Sequence, residues 1–115
     1  MALHTNLPIF KVTYDLTLLA SQLTRSFPRD AKPHGATLRE LCADMINRIY
    51  RANSARDKRP HLSELIELTQ TTELQFRLAR DMRFISTGQY ARAIELTDKI
   101  GKQAMGWRKS CPPLA

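Results

Sequence analysis

The segment LRELCADMINRIY, residues 38–50, decides the fold. Its apolar residues recur every three or four positions. They are Leu38, Leu41, Cys42, Met45, Ile46, Ile49 and Tyr50. Residues at this spacing lie on one face of an α-helix, whereas a half-buried strand would need strict alternation. The stripe is wide, so we expect this helix to face a hydrophobic core.

The sequence before this segment predicts one more helix and a loop. Apolar residues with helical spacing place a first helix within residues 9–27; they are Val12, Leu16, Leu19 and Leu23. Two prolines and a glycine then make residues 27–35 a loop. Thr37 and Glu40 have the spacing of a capping box, which predicts that the second helix begins at Thr37 and runs to about Asn53.

Two further helices are predicted after residue 54. Pro60 suits the first turn of a third helix that continues toward Phe84, with Leu74 and Leu78 among its apolar positions. Ser86 and Gln89 form a second capping box, so a fourth helix begins there and extends to about Lys109. The middle of the third helix, residues 69–75, is polar, and it faces either solvent or a seam with another subunit.

Four helices with short connections favour antiparallel neighbours. The expected fold is therefore all-α, an up-down-up-down four-helix bundle. A chain of 115 residues has the length of one domain, so residues 1–115 are predicted to form a single bundle domain with its core at about residues 8–110.

Composition limits the classes of function. With 43% hydrophobic and 25% charged residues, the chain is typical of a soluble globular protein. No apolar run approaches the roughly 20 residues of a membrane span, and residues 1–6 lack the pattern of a signal peptide. Cys42 and Cys111 form no spaced motif. We expect a cytosolic protein without a membrane partner.

The sequence does not bring together the residue types that a catalytic, metal or cofactor site would require. His4, His34 and His61 fall in the tail, a loop and a first turn, and no glycine-rich phosphate loop occurs. Cys42 lies on the apolar stripe, where a small core residue is expected instead of a nucleophile. We therefore predict no catalytic residues, no metal site, no cofactor and no enzymatic activity.

Charge is the strongest functional signal. Eighteen Lys and Arg residues oppose eleven acids, and twelve of the eighteen are Arg, whose planar guanidinium suits phosphate. In an antiparallel bundle, the connection between helices two and three lies at the same end as the C-terminus of helix four. The predicted nucleic-acid-binding residues at that end are Arg51, Arg56, Lys58, Arg59, Lys102, Arg108 and Lys109, and a row on helix three adds Arg77, Arg80 and Arg83. Such a surface would hold the backbone of RNA or DNA without reading bases.

Structural roles compete with some of these functional interpretations. Cations at helix C-termini also complement the macrodipole, which gives Arg51, Arg83 and Arg108 a structural role. Trp107 and Tyr90 fall on the core side of helix four, so packing is expected in preference to base stacking.

The stretch RLARDMRFISTGQY, residues 77–90, followed by IGKQAMGW, residues 100–107, resembles the accessory variability determinant proteins of diversity-generating retroelements. The resemblance covers about residues 8–110. Within it Gly101 and Gly106 are interpreted as sites of close helix approach and Trp107 as closing the core, while Thr72 and Gln75 depart from a usually apolar pattern.

The resemblance implies a homopentameric barrel of four-helix bundles. It also implies a basic surface that contacts the retroelement's reverse transcriptase and nucleic acid, and thereby supports mutagenic cDNA synthesis and retrohoming; the chemistry would belong to the partner. Two alternatives remain open. One is a four-helix protein encoded in an intervening sequence of a 23S ribosomal RNA gene, and the other is a helical adaptor that binds only protein.

Overall fold

A computed structural model describes residues 3–112; Met1, Ala2 and residues 113–115 lie outside the described part. Its four α-helices are α1 (Pro8–Thr24), α2 (Lys32–Ser54), α3 (Arg59–Asp81) and α4 (Thr87–Ser110). Two 3-10 turns, His4–Asn6 and Arg29–Ala31, precede α1 and α2. Residues 3–112 contain no β-strand, so the all-α prediction with four helices is confirmed.

The helices pack around one core. Each helix lies beside the next along the chain, α1 also lies beside α4, and α1 and α3 are not neighbouring helices. The resulting body is elongated, 50 × 20 × 19 Å. Its axis is filled by large side chains with no exposed surface, namely Leu16, Met45, Ile49, Leu62, Leu65, Phe76 and Ile100. Burial of such side chains contributes about 1.5–3 kcal/mol each, which is why the apolar stripes determine the packing.

The two predicted capping boxes have opposite outcomes. At α4 the Ser86 hydroxyl accepts from the Gln89 N–H at 3.0 Å, and the Gln89 amide oxygen accepts from the Ser86 N–H at 2.8 Å, which confirms the prediction. At α2 the prediction is wrong, because the helix begins five residues earlier and Thr37 donates to the Pro33 carbonyl from inside it. Pro33 lies in the first turn of the helix, where its fixed φ suits the conformation and its missing N–H costs nothing.

Some apolar positions assigned to the core lie outside it. Tyr50 is 51% exposed, and Leu74 and Leu78 are 64% and 39% exposed. Helical spacing shows that such residues share a broad face, but the neighbouring helices cover only the middle of that face. The apolar stripes of α2 and α3 therefore extend beyond the buried strip.

The polar middle of α3 fits neither predicted interpretation at Thr69 and Thr72, whereas Thr71 is exposed, as the solvent-facing interpretation predicts. Thr69 and Thr72 are buried within the bundle's own core, and their hydroxyls donate to the carbonyls of Leu65 and Leu68 at 2.7 Å each. A hydroxyl that bonds to the carbonyl four residues earlier needs neither solvent nor a partner subunit. Gln70, by contrast, is exposed.

The glycines expected to permit close helix approach in α4 do not do so within this chain. A Cβ placed on Gly101 or Gly106 would meet nothing within 4 Å. The close approach occurs instead at Gly35 of α2, where an added Cβ would lie 3.0 Å from the Thr24 Cβ of α1. Nearby, Arg39 Nη1 donates to the Thr24 hydroxyl at 2.8 Å, so the two helices are also joined by a polar contact.

Candidate nucleic-acid interface

The connection between α2 and α3 lies beside the last turns of α4, as the sequence predicted. Arg108 Nη1 donates to the hydroxyl of Ser63 in α3 at 3.2 Å. One cavity is shared by Arg59, Arg108 and Lys109, and a second by Arg56, Lys58 and the α4 residue Trp107. Residues far apart in sequence thus form one basic surface. We call it the basic tip and define it as Arg56, Lys58, Arg59, Arg108 and Lys109.

Lys58 has a structural role at the basic tip. Its ammonium donates to three backbone carbonyls at the end of α2, those of Ala52, Asn53 and Ala55, at 3.0, 3.0 and 2.9 Å. The last carbonyls of a helix have no partner within the helix, and they carry the negative end of its dipole. Lys58 therefore caps α2 from the start of α3 and retains its charge, because carbonyls do not neutralise an ammonium.

Within the described residues 3–112, the cations of the basic tip have no carboxylate partner. Six of the eighteen Lys and Arg side chains form ion pairs in residues 3–112, and these are Arg48, Arg77, Arg80, Arg92, Lys99 and Lys102. None of them belongs to the basic tip. Asp57 lies within the connection, but its Oδ1 accepts from the Arg59 backbone N–H at 3.3 Å. The tip consequently presents uncompensated positive charge, as phosphate binding requires.

Two residues predicted for this end line neighbouring grooves and not the two cavities of the basic tip. Arg51 lines a groove between α2 and α3, where Arg48 and Glu64 pair at 2.6 Å across the helices. Lys102 lines a groove between α3 and α4, and its ammonium lies 3.1 Å from Asp98. Lys102 is six residues before Arg108, which is about 9 Å along the helix.

The predicted row on α3 lies at the opposite end of the molecule from Arg59, about 30 Å away along the helix. Asp81 serves two of its members: Arg80 donates to Asp81 Oδ1 from Nε and Nη2, at 3.1 and 2.9 Å, and Arg77 Nε is 4.0 Å from Oδ2. The Arg80 guanidinium also lies 4.3 Å from the Tyr90 ring centroid. Arg83 is exposed and adopts a left-handed backbone with φ of 63°. The ten predicted binding residues are therefore not one surface.

A match to a known protein family covers nearly the whole chain. The sequence model of the bAvd-like family matches residues 9–111. The chain belongs to the bAvd-like family. This match confirms the resemblance to the accessory variability determinant proteins. No curated protein and no solved structure matches the chain.

Cys42 is a core residue of this bAvd-like chain. Cys42 is fully buried, and burial raises the pKa of its thiol to about 12, against a smaller opposing effect of a hydrogen bond with Thr17. Its thiol is thus protonated at neutral pH, as expected of a core residue. Among the described residues, no group of three or more His, Cys, Asp or Glu side chains is placed to hold a metal ion.

A membrane-spanning helix must be both long and apolar. None of the helices in residues 3–112 has both the length and the apolar character needed to cross a bilayer. The predicted cytosolic location stays a prediction, and so does the single domain over residues 1–115.

Two features of the interface were not predicted from the sequence. Nothing in the local pattern distinguishes Lys58 from the flanking cations, because its role depends on carbonyls that only the folded end of α2 brings together. The cavity beside Trp107 also depends on the meeting of α4 with the α2–α3 connection. Packing of Trp107 and Tyr90 against the core is confirmed, although both rings are only half-buried.

Proposed function

We propose that this protein is a non-enzymatic accessory subunit of a diversity-generating retroelement. In this role it binds the retroelement's reverse transcriptase and the sugar-phosphate backbone of RNA or DNA, and so supports mutagenic cDNA synthesis and retrohoming. Membership of the bAvd-like family supports the accessory role. The single observation that carries nucleic-acid binding is the basic tip, whose five cations have no carboxylate partner in residues 3–112.

The physical case rests on where charge is left uncompensated. A cation already paired with a carboxylate must exchange that partner for phosphate, so it gains little. Arg56, Arg59 and Lys109 of the basic tip need no such exchange, and each phosphate they neutralise releases counterions into solution. Arg56, Arg59 and Lys109 are also exposed, which leaves them accessible to a bound strand. We therefore assign the primary contact to the basic tip and a lesser contribution to Arg77, Arg80 and Lys102.

We further propose that the helices alternate in direction and that the subunits assemble into a closed ring, a pentamer by family resemblance. Two exposed apolar patches support assembly. Leu74 and Leu78 of α3 and Met82, which directly follows the helix, recur every four residues, and Tyr14 and Leu18 do so along α1. Because α1 and α3 are not neighbouring helices, the patches lie on separate sides of the subunit. A contact between two different patches repeats head to tail and closes into a ring when the rotation permits.

Salt-dependent RNA binding tests the basic tip. Affinity of the full-length chain for a single-stranded RNA oligomer is measured by fluorescence anisotropy over a range of salt concentrations. Three cations are removed together in Arg56→Ala/Arg59→Ala/Lys109→Ala, which leaves the Lys58 cap intact. If all three contact phosphate, the slope of log affinity against log salt should become shallower by about 2.

The matched control removes the same charge from ion-paired positions outside the predicted binding residues, as Arg48→Ala/Arg92→Ala/Lys99→Ala. We expect its salt slope to stay close to that of the wild type. Equal weakening by both triple variants would mean that net charge alone, and not the basic tip, holds the RNA.

Assembly and partner choice are tested separately. Light scattering of the purified chain should give a pentamer, and a monomer would contradict the proposed assembly. The protein-binding adaptor would be favoured instead if the chain bound the reverse transcriptase without salt dependence and had no affinity for RNA. Phosphate contact must release counterions, so it cannot be insensitive to salt.

A further inference from the structure

A cavity of about 390 Å³ opens at the basic tip beside Trp107. It is lined by the α2–α3 connection, including Arg56 and Lys58, and by the end of α4, including Ser110 and Cys111. Its volume lies within the range of about 300–1,000 Å³ that is typical of small-molecule sites. It is therefore large enough for a group the size of a nucleobase.

Trp107 is the residue that gives this cavity its chemistry. It is half-buried and packs against the hydrophobic core, so the ring is held in place before any ligand arrives. Its indole N–H has no hydrogen-bond partner within residues 3–112, and no described side-chain nitrogen or oxygen is both buried and without a partner. The indole N–H is thus accessible to solvent. A fixed aromatic ring with a free donor suits a planar heterocycle that has acceptor atoms.

Cations line both this cavity and the neighbouring one. Arg56 and Lys58 line the same cavity, and Arg108 and Lys109 follow Trp107 directly and line the neighbouring cavity of about 570 Å³. Asp57 is the one carboxylate among the described lining residues, and it accepts the Arg59 backbone N–H. A strand whose base occupied the cavity would have cations available to its phosphates before and after that base.

We propose that the Trp107 cavity binds one unpaired base of a single-stranded nucleic acid, while the surrounding basic tip holds the flanking phosphates. This inference rests on the proposed function, because it adds base contact to the backbone contact proposed there. Bases in a duplex are stacked and paired, so only an unpaired base can enter the cavity. The protein therefore selects single strands over duplexes without reading a defined sequence.

The fluorescence of Trp107 provides a direct test, since the chain contains one Trp. The full-length protein is titrated with a uridine oligomer and, as a matched probe, with an abasic oligomer that has the same number of phosphates. We expect the uridine oligomer to quench the tryptophan emission and to bind roughly 5- to 100-fold more tightly than the abasic oligomer. This comparison uses the wild-type protein, so it does not depend on any variant folding.

Two variants assign the effect to the ring. Trp107→Leu should lower affinity for the uridine oligomer to that of the abasic one and leave abasic binding unchanged, whereas Trp107→Phe should retain part of the preference. Tyr90→Leu, which removes a half-buried ring of α4 far from the basic tip, should bind both oligomers like the wild type. Circular dichroism checks that each variant remains helical.

The remaining outcomes separate this inference from the proposed function. Equal, salt-sensitive binding of both oligomers without quenching would overturn the base site and leave backbone binding in place. If Trp107→Leu lost affinity for the uridine and the abasic oligomer equally, Trp107 would contribute to packing and not to base binding. If neither oligomer binds at low salt, nucleic-acid binding itself fails.

Discussion

Replacement of Lys58 by Met should destabilise the protein more than removal of any other charge at the basic tip. The variant keeps most of the aliphatic stem but loses the ammonium that donates to the carbonyls of Ala52, Asn53 and Ala55. A typical hydrogen bond contributes a net 0.5–1.5 kcal/mol, so three such bonds give about 1.5–4.5 kcal/mol. Release of a constrained Lys side chain returns up to about 2 kcal/mol, and water partly replaces the lost donors.

At the upper end of that range the net loss is therefore about 2.5 kcal/mol, which for a domain of this size lowers Tm by roughly 10 °C. Thermal unfolding followed by circular dichroism measures this change in Tm. The proteins are compared at one fixed concentration, because assembly would shift Tm. Lys109→Met is the matched control: it removes one exposed cation of the same tip and should change stability by less than about 0.5 kcal/mol. If Lys58→Met unfolds at the same temperature as Lys109→Met, the carbonyl cap contributes nothing and our reasoning about Lys58 is wrong.

Two further predictions concern buried positions. Because burial raises the pKa of the Cys42 thiol from 9.0 to about 12, the unfolded chain loses this proton first, and the free energy of unfolding should fall by about 1.4 kcal/mol per pH unit between those values. Urea denaturation at several pH values should show that this fall in the free energy of unfolding is absent from Cys42→Ala. Parallel pH dependences of the wild type and the variant would contradict the prediction. Gly35→Ala should lower the free energy of unfolding by about 1–3 kcal/mol, because the added Cβ would lie 3.0 Å from the Thr24 Cβ. Gly101→Ala, where the added Cβ meets nothing, should instead raise it by up to about 1 kcal/mol. Equal Tm changes in the two glycine variants would remove the case for close packing at Gly35.

The starts of α2 and α4 show when a local capping signal is sufficient to predict where a helix begins. Ser86 and Gln89 cap α4 as predicted, because both partners of a capping box lie within four residues and need nothing from the rest of the fold. Thr37 has the same local signal and no such role, because the helix had already started at Lys32. A competing start five residues upstream involves Pro33, whose preference for a first turn outweighs the potential cap.

Sequence periodicity by itself determined that the chain forms four helices with apolar faces, since a repeat of three to four residues is a local property. It also indicated that cations from distant segments gather at one end. Tertiary structure alone decided which of those cations remain free: Lys58 binds the end of α2, Lys102 pairs with Asp98, and Arg80 is shared between Asp81 and Tyr90. Charge can be counted along a chain, but its neutralisation depends on distances of a few ångströms between groups, and these are set when the helices pack.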